Sequence, residues 1–429
     1  MSFLFDPRDL IHGPFIQCPN CGRASEFGVL QVGDHSYQRR CRHCWHTKSF
    51  RLPHLTKKVL YLDQFVISEM MKALNPAAKS HGNNPLHKFW LELFERLDRL
   101  SKLQVLVCPR SEFHTDESML SAQHTPLKRL YELLAGDVAF LSRHEIECKQ
   151  LGDIVKQWIT GVPEPAHRLD RQDVMRGELS AWRDRLIISV DWASVDELVK
   201  EIRTDRRATH EALIALHESW RTQKKRLPES FQDEWSCYGP AVIEAYVKYA
   251  RTVGEAQNGR PPADLHDLIP TMTVQKFEYV REILARGGTS VEESFRKTVE
   301  FFNSACLQHA PYVRIAAMLF AELAWQAAAG RKPPNEGTIT DVNMIATILP
   351  YCDGIFVDKA FASILREDFV RQGLDYQTRV FNTTNRDELL AYLDEIEASV
   401  SEEHLALVKE VYGPDWPTPF TTLYTYKED

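Results

Sequence analysis

Two patterns of apolar and polar residues alternate along this chain. Short, mostly apolar runs occur at Val59–Leu62, Gln104–Cys108, Gly354–Val357 and Thr378–Phe381. They are too short for helices and lack alternation, so they read as strands buried on both faces. Helical periodicity follows the first run at Met70–Leu74 and Leu86–Leu103, and follows the last near 386–398. Pro109 closes the second run, and Ser111 is placed to cap the next helix. Buried strands alternating with helices predict an α/β fold with a parallel sheet covered on both sides.

Between about residues 127 and 330 the pattern is helical, with helices expected at 127–150, 193–204, 206–222, 240–256, 290–307 and 313–329. Leu186–Val190 is ambiguous between strand and helix. The sheet is therefore expected to assemble from residues 57–126 and 310–400, around an all-helical insertion at 127–309. Bringing the two parts together costs loop-closure entropy that grows only logarithmically with length. Residues 1–56 form a separate small module. Residues 401–429 read as a helix and an extended tail, with Pro414, Pro417 and Pro419 among aromatic residues.

Composition narrows the class without naming a function. The 429 residues are 44% hydrophobic and 26% charged, ordinary for a globular protein. The longest apolar stretch, Ile315–Ala329, is interrupted by Glu322 and is shorter than the ~20 residues of a membrane-spanning helix. The first ten residues, MSFLFDPRDL, lack the basic and apolar regions of a signal peptide, so a cytoplasmic protein is expected. The net charge of −8 is uneven, because residues 1–58 carry nine Lys/Arg against four Asp/Glu. A basic head on an acidic body suits an anionic partner.

Four of the nine cysteines cluster in that head as two CxxC pairs, Cys18/Cys21 and Cys41/Cys44. Two such knuckles can aim four thiolates at one ion, and the spacing is that of a zinc ribbon. A four-sulfur shell leaves no open position, so zinc here is expected to be structural. Arg39, Arg40 and Arg42 adjoin Trp45, with Tyr37 and Phe50 nearby, a combination suited to RNA phosphates and unpaired bases. A second basic stretch, Lys200–Arg226, has eight Lys/Arg against four acids; its plainest reading is a solvated helix face.

The remaining chemistry is acidic. Ligands of parallel α/β sheets lie at the carboxyl ends of the strands, and here Asp63 follows the first strand and Asp358 the third. Asp341 opens a helix, while Glu112, Asp116 and Glu117 occupy the helix after the second strand, where His114 and Glu117 share a face. Converging carboxylates repel one another unless a cation lies among them, and hard oxygen ligands suit Mg²⁺ or Mn²⁺. Each acid alone is usually a cap or turn residue.

The segments YLDQFVISEM, VLVCPRSEFHTDES and TDVNMIATILPYCDGIFVDKAF, in that order, resemble the acidic motifs of PIN-like domains. The resemblance spans about 150 residues and implies a three-layer α/β/α nuclease core. It implies Asp63, Glu117, Asp341 and Asp358 as the catalytic acids, with Asp63, Asp341 and Asp358 holding Mg²⁺ or Mn²⁺ for RNA hydrolysis. His114 and Lys359 become candidate substrate contacts beside them. The chain departs from the common pattern at Gln64-Phe65, and the insertion has no counterpart in compact members. Phe65 also argues against a haloacid-dehalogenase phosphatase, which needs a second Asp there. A nuclease with so large an insertion suits a toxin or phage-defence effector under a trigger or regulatory protein, and the resemblance makes a homodimer an expectation. The alternative is an inactive PIN-like scaffold that binds nucleic acid or protein.

Overall fold

Residues 6–78, 81–121, 123–184, 196–260, 262, 264–286, 288–418 and 424 are described by a computed structural model. The N-terminal module is an antiparallel sheet of β1 (His12–Ile16), β2 (Phe27–Gly33), β3 (Ser36–Cys41) and β4 (Thr47–Arg51), in that order. A second sheet opens with β5 (Lys58–Leu62), followed by α1 (Gln64–Leu74), α2 (His87–Lys102), β6 (Leu106–Val107), α3 (Glu112–Met119) and α4 (His124–Ala135). The insertion then runs through β7 (Ala139–Phe140), α5 (Arg143–Ile159), β8 (Met175–Arg176), α6 (Asp196–Gln223), α7 (Leu227–Gln257), α8 (Met272–Ala285) and α9 (Val291–Phe302). The chain returns through α10 (Pro311–Ala328), α11 (Thr338–Ile348), β9 (Gly354–Phe356), α12 (Lys359–Arg366), α13 (Asp368–Gly373), β10 (Arg379–Phe381), α14 (Arg386–Ala398) and α15 (Glu402–Tyr412).

The second sheet has the order β10-β9-β5-β6 and is parallel throughout. Its strands are apolar on both faces because both are covered. Leu60 and Leu62 join α1, α2, α4, α14 and α15 in one core, while Val59 and Tyr61 join α10, α11 and α12 in another. Leu62 pairs with Phe356, so Asp63 and Asp358 leave the same edge of the sheet. The loop preceding β9 starts from α11, whose first turn is thereby returned to that carboxyl edge. A third core joins α5, α7, α8 and α9 to the start of α10.

Several expectations are corrected. The insertion is not all-helical, since β7 and β8 pair antiparallel, and two-residue strands are too short to carry a readable period. The helix expected at 127–150 is broken after Ala135, where Gly136 takes φ 64° and ends α4. The expected helices 193–204 and 206–222 are joined in one, α6, and α8 was not anticipated. Leu186–Val190 lies outside the described residues. In the tail, Trp416 is buried with Arg99 5.0 Å over its ring, and the Tyr424 hydroxyl donates to the Pro126 carbonyl. Among the described residues no helix is long and apolar enough to cross a membrane.

Candidate functional site

The carboxyl edge of the parallel sheet holds a narrow crevice lined by residues that include Tyr61, Asp63, Gln64, His114, Glu117, Thr340 and Asp341. Three elements build it: the β5–α1 junction, the body of α3 and the first turn of α11. Asp63 is the residue between strand and helix, and its backbone N–H donates to the Phe356 carbonyl at 2.9 Å, tying it to β9. Burial pushes the Asp63 carboxyl up to about 7, helped by the charges of Glu117 and Asp358 and opposed by the Phe65 and Gln64 amides. Asp341 is pushed up to about 8 by burial and by Asp63, Asp358 and Glu117, while Arg206 pulls it down. These acids feel one another as like charges.

Asp358 stands beside the crevice rather than in its lining. One of its oxygens accepts from the Phe361 N–H at 2.7 Å, capping α12, while its charge still raises Asp63 and Asp341. Among the three rivals on α3, only Glu117 lines the crevice. Glu112 accepts from the Arg143 N–H at 2.7 Å and serves the start of α5. Asp116 is raised by burial and lowered by Arg206 and Arg143. Asp353, by contrast, sits at the opposite end of β9, where Lys58, Arg171 and the Val59 N–H hold it, an ordinary structural role.

The oxygen donors converge without closing. Among the described residues, the only set of three or more metal-ligand atoms mutually within 4.8 Å is the four cysteines. The crevice has a free volume of about 10 Å³, room for roughly one water. The donor set is nonetheless all carboxylate oxygen, which fits a hard divalent cation. Gln64 adds a buried Oε1 with no hydrogen-bond partner. Phe65, the departure from the motif, is partly buried and packs edge-on against Trp90 and Phe356 at the margin of the core.

Two candidate substrate contacts prove structural. His114 is 3% exposed, and both ring nitrogens are engaged: Nε2 donates to the Leu62 carbonyl at 2.7 Å and Nδ1 accepts from the Ser111 N–H at 3.2 Å. Burial lowers its pKa to about 4, so it is a neutral strut between α3 and β5. Arg39 is 1% exposed and donates to the carbonyls of Pro14, Phe27 and Glu410, which pins the N-terminal sheet to α15. Tyr37, on the same face, is also buried. The alternation of β3, with Tyr37, Arg39 and Cys41 inward, was the available signal for this. Lys359 is exposed at the start of α12.

Arg40 lies 5.1 Å over the ring of Trp45, which is 38% exposed, and Arg42 lies 4.0 Å over Phe15. Trp45 follows the second knuckle and takes φ 60°, while Gly22 follows the first at φ 71°. A bulky residue in this left-handed region costs about 1–3 kcal/mol, so Trp45 holds a strained conformation that Gly22 adopts freely in the sister knuckle.

The cysteines meet as the spacing requires. Cys18 Sγ and Cys44 Sγ are 3.6 Å apart, and Cys21 Sγ and Cys41 Sγ 3.8 Å. A zinc tetrahedron with ~2.3 Å bonds has edges of about 3.8 Å, so the cluster is compatible with a structural zinc site. No family model, curated protein or solved structure matches the chain. Sequence reasoning missed one charged participant, Arg206 on α6, whose guanidinium lies 3.7 Å from a Glu117 oxygen.

Proposed function

We propose that this chain is a metal-dependent ribonuclease of PIN-like type, with a zinc-stabilised ribbon that binds RNA. The observation that carries this reading is the pair of half-buried carboxylates, Asp63 and Asp341, each raised by desolvation and by the other acids at one sheet edge. Asp63, Glu117, Asp341 and Asp358 are the residues that would hold Mg²⁺ or Mn²⁺. A bound divalent cation supplies an activated water and neutralises the charge that develops on a phosphodiester under in-line attack. Asp63 and Asp341 contribute negative charge from rigid positions, and the Phe361 amide fixes the orientation of Asp358. His114 orients the strand end from behind, and Lys359 is exposed next to Asp358 for a phosphate. A toxin or phage-defence role is part of this proposal, since a nuclease with so large an insertion would suit one.

The test is incubation of purified protein with tRNA, rRNA, single-stranded RNA and matched DNA, with Mn²⁺ and then with chelator. The expected result is RNA cleavage that appears with Mn²⁺ and stops on chelation. Absence of cutting with every divalent metal contradicts the reading and leaves the binding scaffold standing.

The ribbon makes a separate prediction. Trp45→Gly removes a stacking surface and relieves the positive φ, so thermal stability rises or stays level while affinity for single-stranded RNA falls about tenfold. Fluorescence anisotropy beside a melting curve measures both. Unchanged affinity would remove Trp45 from the RNA surface.

A further inference from the structure

Arg206 belongs to the insertion, yet it acts on the acids of the sheet edge. Its guanidinium lies 3.7 Å from a Glu117 oxygen, and Glu117 lines the crevice with Asp63 and Asp341. The helix that delivers it, α6, rests on α10: Leu213 and Trp220 pack against Ala324 and Ala327. Positions 206, 213 and 220 are seven apart, two turns each, so Arg206 projects from the stripe that faces the body. One stripe therefore carries both the anchor and the cation.

Two further features bear on what this contact does. The crevice that Glu117 lines has room for about one water and cannot admit a phosphodiester. The seam that holds α6 is also imperfect, because His217 is 4% exposed and neither ring nitrogen has a hydrogen-bond partner. Buried polar atoms without hydrogen-bond partners weaken a contact, so this seam is less stable than an all-apolar one would be.

We infer that α6 is a gate over the acidic crevice, with Arg206 as a resident counter-ion that a divalent cation must displace. This rests on the reading of the acids as a metal site. Arg206 and the metal compete for one set of carboxylates. Metal binding therefore loosens the N-terminal part of α6, and loosening α6 tightens metal binding, by the same free energy.

The test is a Mn²⁺ titration of the full-length, zinc-loaded protein followed by electron paramagnetic resonance, with hydrogen exchange across 196–223 with and without Mn²⁺. Arg206→Gln is expected to bind Mn²⁺ about tenfold more tightly than wild type, from loss of a nearby like charge. Arg206→Lys keeps that charge and stays within about threefold of wild type. Exchange in α6 rises when Mn²⁺ binds the wild-type protein. If wild type binds Mn²⁺, Asp63→Asn loses it and Arg206→Gln leaves the affinity unchanged, the gate is overturned while the metal site stands. If no variant binds Mn²⁺, the metal site fails and the gate fails with it.

Discussion

Asp63→Asn and Asp341→Asn each lower metal-dependent RNA cleavage by about a thousandfold or more, and each makes the metal-free protein more stable at alkaline pH. The two effects have one cause. Both carboxyls are raised in the folded state, to about 7 and about 8, whereas in the unfolded chain they return to the ordinary value near 4. Between these limits the folded state binds more protons than the unfolded one, so stability falls as pH rises from about 4 to about 8. Below pH 4 both states are protonated and the penalty vanishes. An Asn at either position has no such titration, and its advantage grows through the same window and is largest at pH 8.5. Melting curves at pH 4, 6 and 8.5, in zinc-containing but Mg²⁺- and Mn²⁺-free buffer, measure this directly. Equal or lower stability of both variants at pH 8.5 would mean that the acids are not in mutual repulsion.

The second large effect is expected at the cysteine cluster. Cys18→Ser or Cys41→Ser abolishes zinc binding and unfolds the N-terminal sheet, a loss on the order of 10 kcal/mol of folding free energy for that module. Its sheet is too small to persist on its own core. The damage does not stop there, because Val29, Val32, Tyr37 and Leu52 share a core with Val408, Val411 and Tyr412 of α15, and Arg39 bonds the Glu410 carbonyl. Zinc loss therefore exposes α15 while the parallel sheet remains folded. Metal analysis with hydrogen exchange over 12–55 and 402–412 reads both changes. Protection that survives a demonstrated loss of zinc would show that the ribbon is held by packing alone.

These residues also show what a sequence can and cannot disclose here. The strands Val59–Leu62 and Gly354–Val357 were legible because burial on both faces leaves an apolar run with no alternation. The cysteine cluster was legible because a CxxC turn is local and two of them suffice for four sulfurs. The strand-end acids were legible as candidates from position alone. Which acid of α3 faces them was not, because Glu112, Asp116 and Glu117 differ only in helix rotation, which is set by the Ser111 hydroxyl bonding that of Tyr61 and by His114 bonding the Leu62 carbonyl. Arg39 was misread as a surface charge because net charge carries no direction, although the alternation of β3 does. Arg206 was hidden in a basic stretch whose ordinary reading is a solvated face. Its partner, Glu117, is far away in sequence, and no local period reports a contact made across the fold.

Asp63, Glu117, Asp341 and Asp358 are proposed to form one divalent-metal site. The most direct measurement is an anomalous-scattering map from crystals of the zinc-loaded protein grown with Mn²⁺. The account predicts a Mn²⁺ peak within coordination distance of Asp63, Asp341 and Asp358, with Arg206 withdrawn from Glu117, and no such peak in Asp63→Asn. Full density for the four side chains with no Mn²⁺ among them, Arg206 still paired with Glu117, would contradict it.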